Sequence, residues 1–409
     1  VNSRARMRLR YRNPRPSGEV IMRILHVIGS LDPADGGPPV IVSRLAAAQA
    51  VLGHDVTLMT YDTPEGRRYW EASRPVLPGG DQVRVVYVPP GGGLERVFGG
   101  AARRAARELM GGCDVVHLHS VWESILRVTA EEARAEGVPY TILLNGMLDT
   151  YQMQRKALKK RLAMALGYRR MLNGASALHM GNEVERRNCA PLGLDPPPLI
   201  VPNGITFAEI DPLPEPGSFR ARHPELGDHP YILFLSRLHY KKGLDYLADA
   251  FVLFSQEEPD THLVVAGPDG GMQAEFEQTI ASAGITDRVH VVGPLYGRDK
   301  NAAFNDAACF CLPTRQEGFT VVVNETLACG VPMVISEGAH RPDVGDADAG
   351  IIVELTARNV ADALLRMMGD EALRTRMGRN GRAHAERDLT WEAVARTMLE
   401  AYASFPARS

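Results

Sequence analysis

The chain has 409 residues, of which 45% are hydrophobic and 23% charged, with a formal net charge of −3; that length exceeds what one hydrophobic core ordinarily serves and predicts two domains. The composition excludes a fibrous or wholly disordered protein, and no apolar run approaches the roughly 20 residues of a membrane-spanning helix. Five scattered cysteines (Cys113, Cys189, Cys309, Cys311, Cys329) without a C-x-x-C pair indicate neither a disulfide framework nor a zinc site.

The opening stretch "VNSRARMRLRYRNPRPSGEV" carries six arginines against one acid and no apolar period, which predicts a disordered basic arm over residues 1–21. It is too arginine-rich for a secretory leader, so a cytoplasmic protein is expected. Because the chain starts with Val while "MRILHVIGS" makes a natural first strand, the arm is expected to reflect an upstream start-codon assignment. From Met22, β-branched runs alternate with helical stretches: "RILHVIGS", "VSRLAAAQAVLG", "DVTLMTY", "VRVVYVP", "DVVHLHS" and "YTILLNG". This is βαβ punctuation, and apolar runs without polar alternation suit a parallel sheet covered on both faces.

The first loop, "GSLDPADGGPPVIVSRLA", places Gly36 and Gly37 before a helix whose early N–H groups lack intrahelical partners. Such a terminus attracts phosphate, although a plain strand-to-helix turn reads equally well. Further on, "YQMQRKALKKRLAMALGYRRMLNG" has seven basic residues, no acid, and Leu158, Leu162, Leu166 and Met171 at helical spacing. That is either a core-packing helix with a basic solvated face or a surface for anionic lipid. Residues 1–210 hold 27 Lys+Arg against 20 Asp+Glu and the remainder 19 against 29, so the first half is the basic one. No nucleic-acid module accompanies it.

A Pro/Gly-rich stretch over residues 191–218 marks the linker, and a second series follows: "YILFLSR", "HLVVAG", "RVHVVGP", "ACFCLPT" and "VPMVIS". Two doubly wound domains in tandem fit, with ligands beyond the carboxyl ends of the strands. "YILFLSRLHYKKGLDYLADA" sets Arg237 just past a strand and Lys242 beside Gly243 at a helix start. Two cations meeting a positive helix end predict an anion such as a diphosphate, bound bidentately by Arg237 and as a point charge by Lys242. In "EGFTVVVNETLACG" (317–330) a helix must lie between two strands despite the Val321–Val323 run, with Gly330 as its cap. Glu317 before that helix and Glu325 two turns along it would stand about 12 Å apart, a span suited to a nucleotide sugar, with the N–H groups of Gly318, Phe319 and Thr320 between them.

"SRLHYKKG" together with "EGFTVVVNETLACGVPMVI" resembles the signature of the retaining glycosyltransferases of family 4, and "GGPPVIVSRLAAAQAVLGHDVTLMT", "DVVHLHS" and "VPNGI" resemble that family's other segments in order. The resemblance implies a GT-B fold: an N-terminal acceptor domain over 22–205, a C-terminal donor domain over 206–390, and a helix over 391–409 packing back on the first domain. It implies transfer of a sugar from a nucleoside-diphosphate donor to a saccharide or lipid-linked saccharide with retained configuration and no metal or other cofactor. Such a role belongs to cell-surface polysaccharide or glycolipid synthesis, with possible contact to the inner face of a membrane through 151–173. Arg237 and Lys242 would bind the diphosphate, Glu317 the donor sugar and Glu325 the ribose. Gly36 and Gly37 would border donor and acceptor, and Gly267, Pro268 and Leu295 would approach the base.

Where many relatives carry a histidine, "YTILLNGMLDTY" has Asn145, which hydrogen-bonds a hydroxyl but cannot become cationic. His119 is the alternative sugar or acceptor contact, although with His117 it also fits simple packing. "DAD" at Asp346–Asp348 reads as a turn rather than a metal triplet. Two other expectations stay open, a nucleotide-sugar epimerase of GT-B fold and a non-catalytic sugar-nucleotide binder.

Overall fold

The computed structural model describes residues 20–90, 92–149, 152–153, 157–317 and 320–406; the basic arm lies, up to residue 19, outside them. Seven strands form the first sheet: β1 (Arg23–Val27), β2 (Asp55–Tyr61), β3 (Arg84–Val88), β4 (Val115–His119), β5 (Tyr140–Leu143), β6 (Ala177–Met180) and β7 (Pro198–Ile200). Six form the second: β8 (Tyr231–Leu235), β9 (His262–Ala266), β10 (Val289–Gly293), β11 (Cys309–Leu312), β12 (Met333–Ser336) and β13 (Gly350–Val353). Their orders are β3-β2-β1-β4-β5-β6-β7 and β10-β9-β8-β11-β12-β13. Every pairing is parallel. The strand order reverses between β1 and β4 and again between β8 and β11, which opens a crevice beyond the carboxyl ends at each point.

The sequence explains this burial. β4 (VVHLH) and β11 (CFCL) have no exposed residue, as strands covered on both faces require. Eight helices bear on the site: α1 (Pro38–Val51), α2 (Ser124–Ala135), α3 (Glu183–Cys189), α4 (Leu244–Phe254), α5 (Gly297–Asp306), α6 (Val321–Ala328), α7 (Glu371–Asp388) and α8 (Trp391–Ser404). The valine run that favours a strand opens α6 instead, since its place between β11 and β12 in a parallel sheet needs a crossover.

The chain crosses between the domains twice, side by side. Ile205 and Thr390 form a parallel bridge, with Ile205 N–H donating to the Leu389 carbonyl at 2.7 Å. Beyond it α8 packs on α1, and its Trp391, Val394, Ala395, Met398, Leu399 and Tyr402 share one buried cluster with Ile24, Val42, Leu45 and Val56.

The basic segment departs from a single core-packing helix. It is helical over Ala157–Ala163, makes a π turn over Met164–Tyr168, and resumes over Arg169–Asn173. Met171 is buried, but Leu158, Leu162 and Leu166 are 81%, 60% and 68% exposed. Leu158 and Leu162 share one face of the first helical stretch, whereas Leu166 lies in the π turn with non-helical backbone angles.

Candidate active site

Residues at the carboxyl ends of β8, β9, β10 and β11 converge. Arg237 follows β8 and is exposed, its guanidinium without a hydrogen-bond or carboxylate partner among the described residues, while its carbonyl accepts from His239 N–H at 2.8 Å. Lys242 Nζ donates to Glu317 Oε1 at 2.6 Å, and Thr314 Oγ1 lies 2.8 Å from the same oxygen and 2.7 Å from the Lys241 carbonyl, so its one proton serves one of them at a time. Glu317 is only 8% exposed. Its backbone N–H donates to the Gly338 carbonyl at 2.9 Å. Gly243 starts α4 at φ 68°, and a Cβ there would lie 1.8 Å from the Pro313 carbonyl, so glycine is what lets the Lys242 turn press on the Thr314 loop. Arg315 fastens the same junction. It forms a bidentate pair with Asp245, donates to the Tyr240 carbonyl at 2.6 Å and stacks on Tyr240.

Glu325, on α6, accepts from Lys300 Nζ on α5 at 2.7 Å. The two glutamates are therefore separate anchor points, each holding its own lysine. Gly267 N–H donates to the Gly293 carbonyl, and Leu238 N–H to the Pro268 carbonyl, both at 2.9 Å, which draws Gly267, Pro268 and the Leu295 loop against the Arg237 loop. Thr320 caps α6 and is buried, while Gly318 and Phe319 lie outside the described residues. In the second domain, His340 is held below its ordinary pKa first by burial and next by Arg187 on α3 of the first domain, with Glu317 acting the other way.

On the first domain, Gly36 and Gly37 lead into α1 as expected of a turn. The helix end is nevertheless a poorer anion site than its glycines suggest. Pro38 and Pro39 carry no N–H, and the next two, Val40 and Ile41, already donate to the Gly37 carbonyl at 3.1 Å. Asn145 follows β5 at φ 52°, and its Nδ2 is buried without a partner. Glu185 of α3 braces that turn, accepting from Gly146 N–H at 2.5 Å and Gly181 N–H at 2.8 Å; burial holds its carboxyl above the ordinary range. A cavity of about 350 Å³ beside Asn145 is lined by Asp35, Pro38, Trp122, Gly146, Met147, Gln152 and Lys160. Trp122 Nε1 is likewise buried and unpartnered. Next to it, the Glu123 carboxylate occupies the space where Gly29 lacks a side chain: a Cβ on Gly29 would fall 1.1 Å from its Oε2. Burial, then the charge of Asp35, push that carboxyl up to about 7.

His119 does not reach the crevice surface; it is fully buried in a chain of imidazoles. His179 Nε2 donates to the Val201 carbonyl (3.0 Å), so His179 Nδ1 accepts from His117 Nε2 (3.3 Å) and His117 Nδ1 from the Tyr402 hydroxyl (2.7 Å). Gln49 joins Tyr402 (3.4 Å) to His26 Nε2 (2.7 Å), and His26 Nδ1 accepts from His119 Nε2 (2.9 Å). Nitrogens of His26, His117 and His119 lie within 4.8 Å of one another, a possible metal cluster by distance, but this chain already engages them. The polarity leaves His119 Nδ1 with a lone pair and no donor.

Residues 36–204 match the family model "Glycosyl transferase 4-like domain" and residues 217–384 match "Glycosyl transferases group 1". The chain belongs to the GT-B glycosyltransferases. This glycosyltransferase is 28% identical over 392 residues, 90% of its chain and 91% of the relative, to a D-inositol 3-phosphate glycosyltransferase of Xylanimonas cellulosilytica. Over 219 residues, half of this chain and 56% of the relative, it is 27% identical to a GDP-mannose-dependent monoacylated alpha-(1-6)-phosphatidylinositol monomannoside mannosyltransferase of Corynebacterium glutamicum. Its fold is that of sucrose-phosphate synthase from Thermosynechococcus elongatus (TM-score 0.65, 20% identity, 93% of this chain and 98% of that one). It is equally that of Anabaena Alr3699/HepE in complex with UDP (TM-score 0.71, 16% identity, 94% and 100%). Lys300, Glu123, Glu185, His340 and Arg187 are the site residues that sequence reading missed. None stands in a motif, and their only signal is position after a strand.

Proposed function

We propose that this glycosyltransferase moves a sugar from a nucleoside-diphosphate donor to a hydroxyl of a saccharide or lipid-linked saccharide, retaining the anomeric configuration and needing no metal. One observation carries the reading: Arg237, whose guanidinium has no partner among the described residues, stands in the loop that leads to Lys242, which is itself held by a buried carboxylate. Arg237 grips the diphosphate, and Lys242 is shared between Glu317 and the phosphate oxygens as the donor enters. The bond from the anomeric carbon to the β-phosphate oxygen breaks with its electron pair on the diphosphate. The acceptor oxygen then bonds to that carbon from the same face, and its proton passes to the departing phosphate. Preorganised cations supply most of the rate enhancement in such a reaction. Glu325, with Lys300, holds the ribose.

The exposed Leu158, Leu162 and Leu166, interleaved with Lys159, Lys160 and Arg161, support contact with an anionic lipid surface and hence a lipid-linked acceptor in surface polysaccharide or glycolipid synthesis. The test is calorimetry with UDP, GDP, ADP and their sugars in chelator, followed by turnover and NMR of the product. One nucleotide class should bind saturably, Arg237→Ala and Glu325→Ala should each weaken it at least tenfold, and the product should keep the donor's anomeric configuration. Nucleotide release without any acceptor, with the sugar epimerised, would instead identify an epimerase; no nucleotide binding would end the proposal.

A further inference from the structure

Two buried asparagines stand next in sequence to the two halves of the Lys300–Glu325 pair: Asn301 on α5 and Asn324 on α6, 4% and 0% exposed. Asparagine is a poor helix former, so what these two contribute is the bond each makes outward. Asn324 Nδ2 donates to the Asn203 carbonyl at 3.0 Å, and Asn301 Nδ2 to the Glu209 carbonyl at 2.8 Å. Both carbonyls lie in the first crossover, outside either sheet, where a main-chain acceptor needs a partner from elsewhere. Arg341 fixes Asn324 from its other side, donating to Oδ1 at 2.5 Å while both oxygens of Asp343 hold the guanidinium at 2.8 and 2.6 Å. The crossover is in turn fastened to the first domain and to α8, which packs on it. Arg44 of α1 pairs with the Glu209 carboxylate, and Gly204 lies so close to α8 that a Cβ on it would fall 2.7 Å from the Trp391 ring.

We propose that Asn301 and Asn324 are positioning residues: they lock the donor's seat, Lys300 with Glu325, to the chain that leaves the first domain, and so fix where the bound donor meets the acceptor. This role rests on the glycosyltransfer reading above, in which donor and acceptor occupy different domains. Contacts within the second domain then set donor affinity, whereas the rate of transfer follows the register of one domain on the other. Reacting groups displaced by about 1 Å react on the order of a hundredfold more slowly. An amide bridging a donor helix and the crossover acts on that register and leaves the donor contacts in place. Asn305, one turn further along α5, provides the contrast. Its Nδ2 donates to the Pro214 carbonyl at 2.9 Å, a bond of the same kind beyond the residues that Arg44 and Trp391 hold.

Aspartate replaces the amide nitrogen by an acceptor at nearly constant size, so Asn301→Asp and Asn324→Asp each delete one donated bond, and the second keeps its Arg341 contact. Asn305→Asp is the control. The full chain carries spin labels at Arg104→Cys in the first domain and Glu275→Cys in the second, both exposed positions, while the five native cysteines are buried. Asn301→Asp combined with Asn324→Asp should at least double the width of the interdomain distance distribution, and Asn305→Asp should leave it unchanged. With UDP, GDP, ADP and their sugars, nucleotide affinity and release without acceptor should stay within about threefold of the unsubstituted chain. Release stimulated by glucose, mannose or a membrane lipid extract should lose at least about tenfold in kcat; should none of these stimulate, the distance width decides. No nucleotide binding by the unsubstituted chain ends the glycosyltransfer reading and this one with it. With binding intact, an unchanged width, an unchanged stimulated kcat, an equal loss in affinity, the same loss in Asn305→Asp, or failure of both variants to fold overturns the positioning role while the donor site stands.

Discussion

Lys242 and Glu317 carry opposite charges in a setting where about a fifth of one side chain and a tenth of the other meets solvent. Removing one partner strands the other, and for partly screened pairs this costs on the order of 1–3 kcal/mol. Glu317→Ala is therefore expected to lower the melting temperature by several degrees. Lys242→Ala combined with Glu317→Ala should recover part of that loss, although both variants lose at least a hundredfold in kcat; a double-mutant cycle read by calorimetry and turnover checks this. Arg237→Ala should leave the melting temperature unchanged within about 2 °C, because no partner is orphaned. The placement of Arg237 and Lys242 after β8 and of Glu317 and Glu325 after β11 was legible in the sequence, because the apolar runs before them mark those strands. Lys300 and Glu123 were not. Lys300 lies 25 positions from Glu325 with nothing local to flag it, and the Glu123 seat exists only because Gly29, on another strand end, lacks a side chain.

At the scale of elements, the alternation of strands and helices revealed ten of the thirteen strands but not β6, β7 or β13, and β7 falls within the stretch read as linker. What it did not convey is the quality of helix ends. Two glycines before α1 left a phosphate cradle and a plain turn equally open, and the two prolines after them bring no N–H donor to that helix end. The basic segment shows the opposite failure, where periodicity implied one continuous apolar face that the π turn interrupts at Leu166. Replacing Leu158, Leu162 and Leu166 together by Ser is expected to abolish sedimentation with vesicles of anionic phospholipid while shifting the melting temperature by under 2 °C, as side chains this exposed contribute little to folding. Loss of fold in that variant would mean that the leucines are packed.

At the scale of the molecule, the imidazole chain ties stability to pH. His26 and His179 are lowered by burial to about 4, and His117 and His119 are also driven well below the ordinary histidine range. Above about pH 6.5 both folded and unfolded chains hold these rings neutral. As pH falls from there towards 4 the unfolded chain binds protons that the folded one refuses, so stability declines, by on the order of 3 kcal/mol for each of His26 and His179. Thermal melts between pH 7.5 and 4.5 should fall steeply below pH 6.5, and His26→Gln or His179→Gln should flatten the slope; a flat profile in the unsubstituted chain would show that the rings are solvated.

Helix α8 is made after the whole second domain, yet its Tyr402 closes the hydrogen bonds to His117 and Gln49 in the heart of the first. On the ribosome, where domains tend to form in order of synthesis, the first domain must wait with α1 and part of one sheet face uncovered while the second folds. A segment made after the second domain thus completes one made before it, and a chain lacking residues 391–406 would leave the first domain open to chaperones at His117 and Gln49.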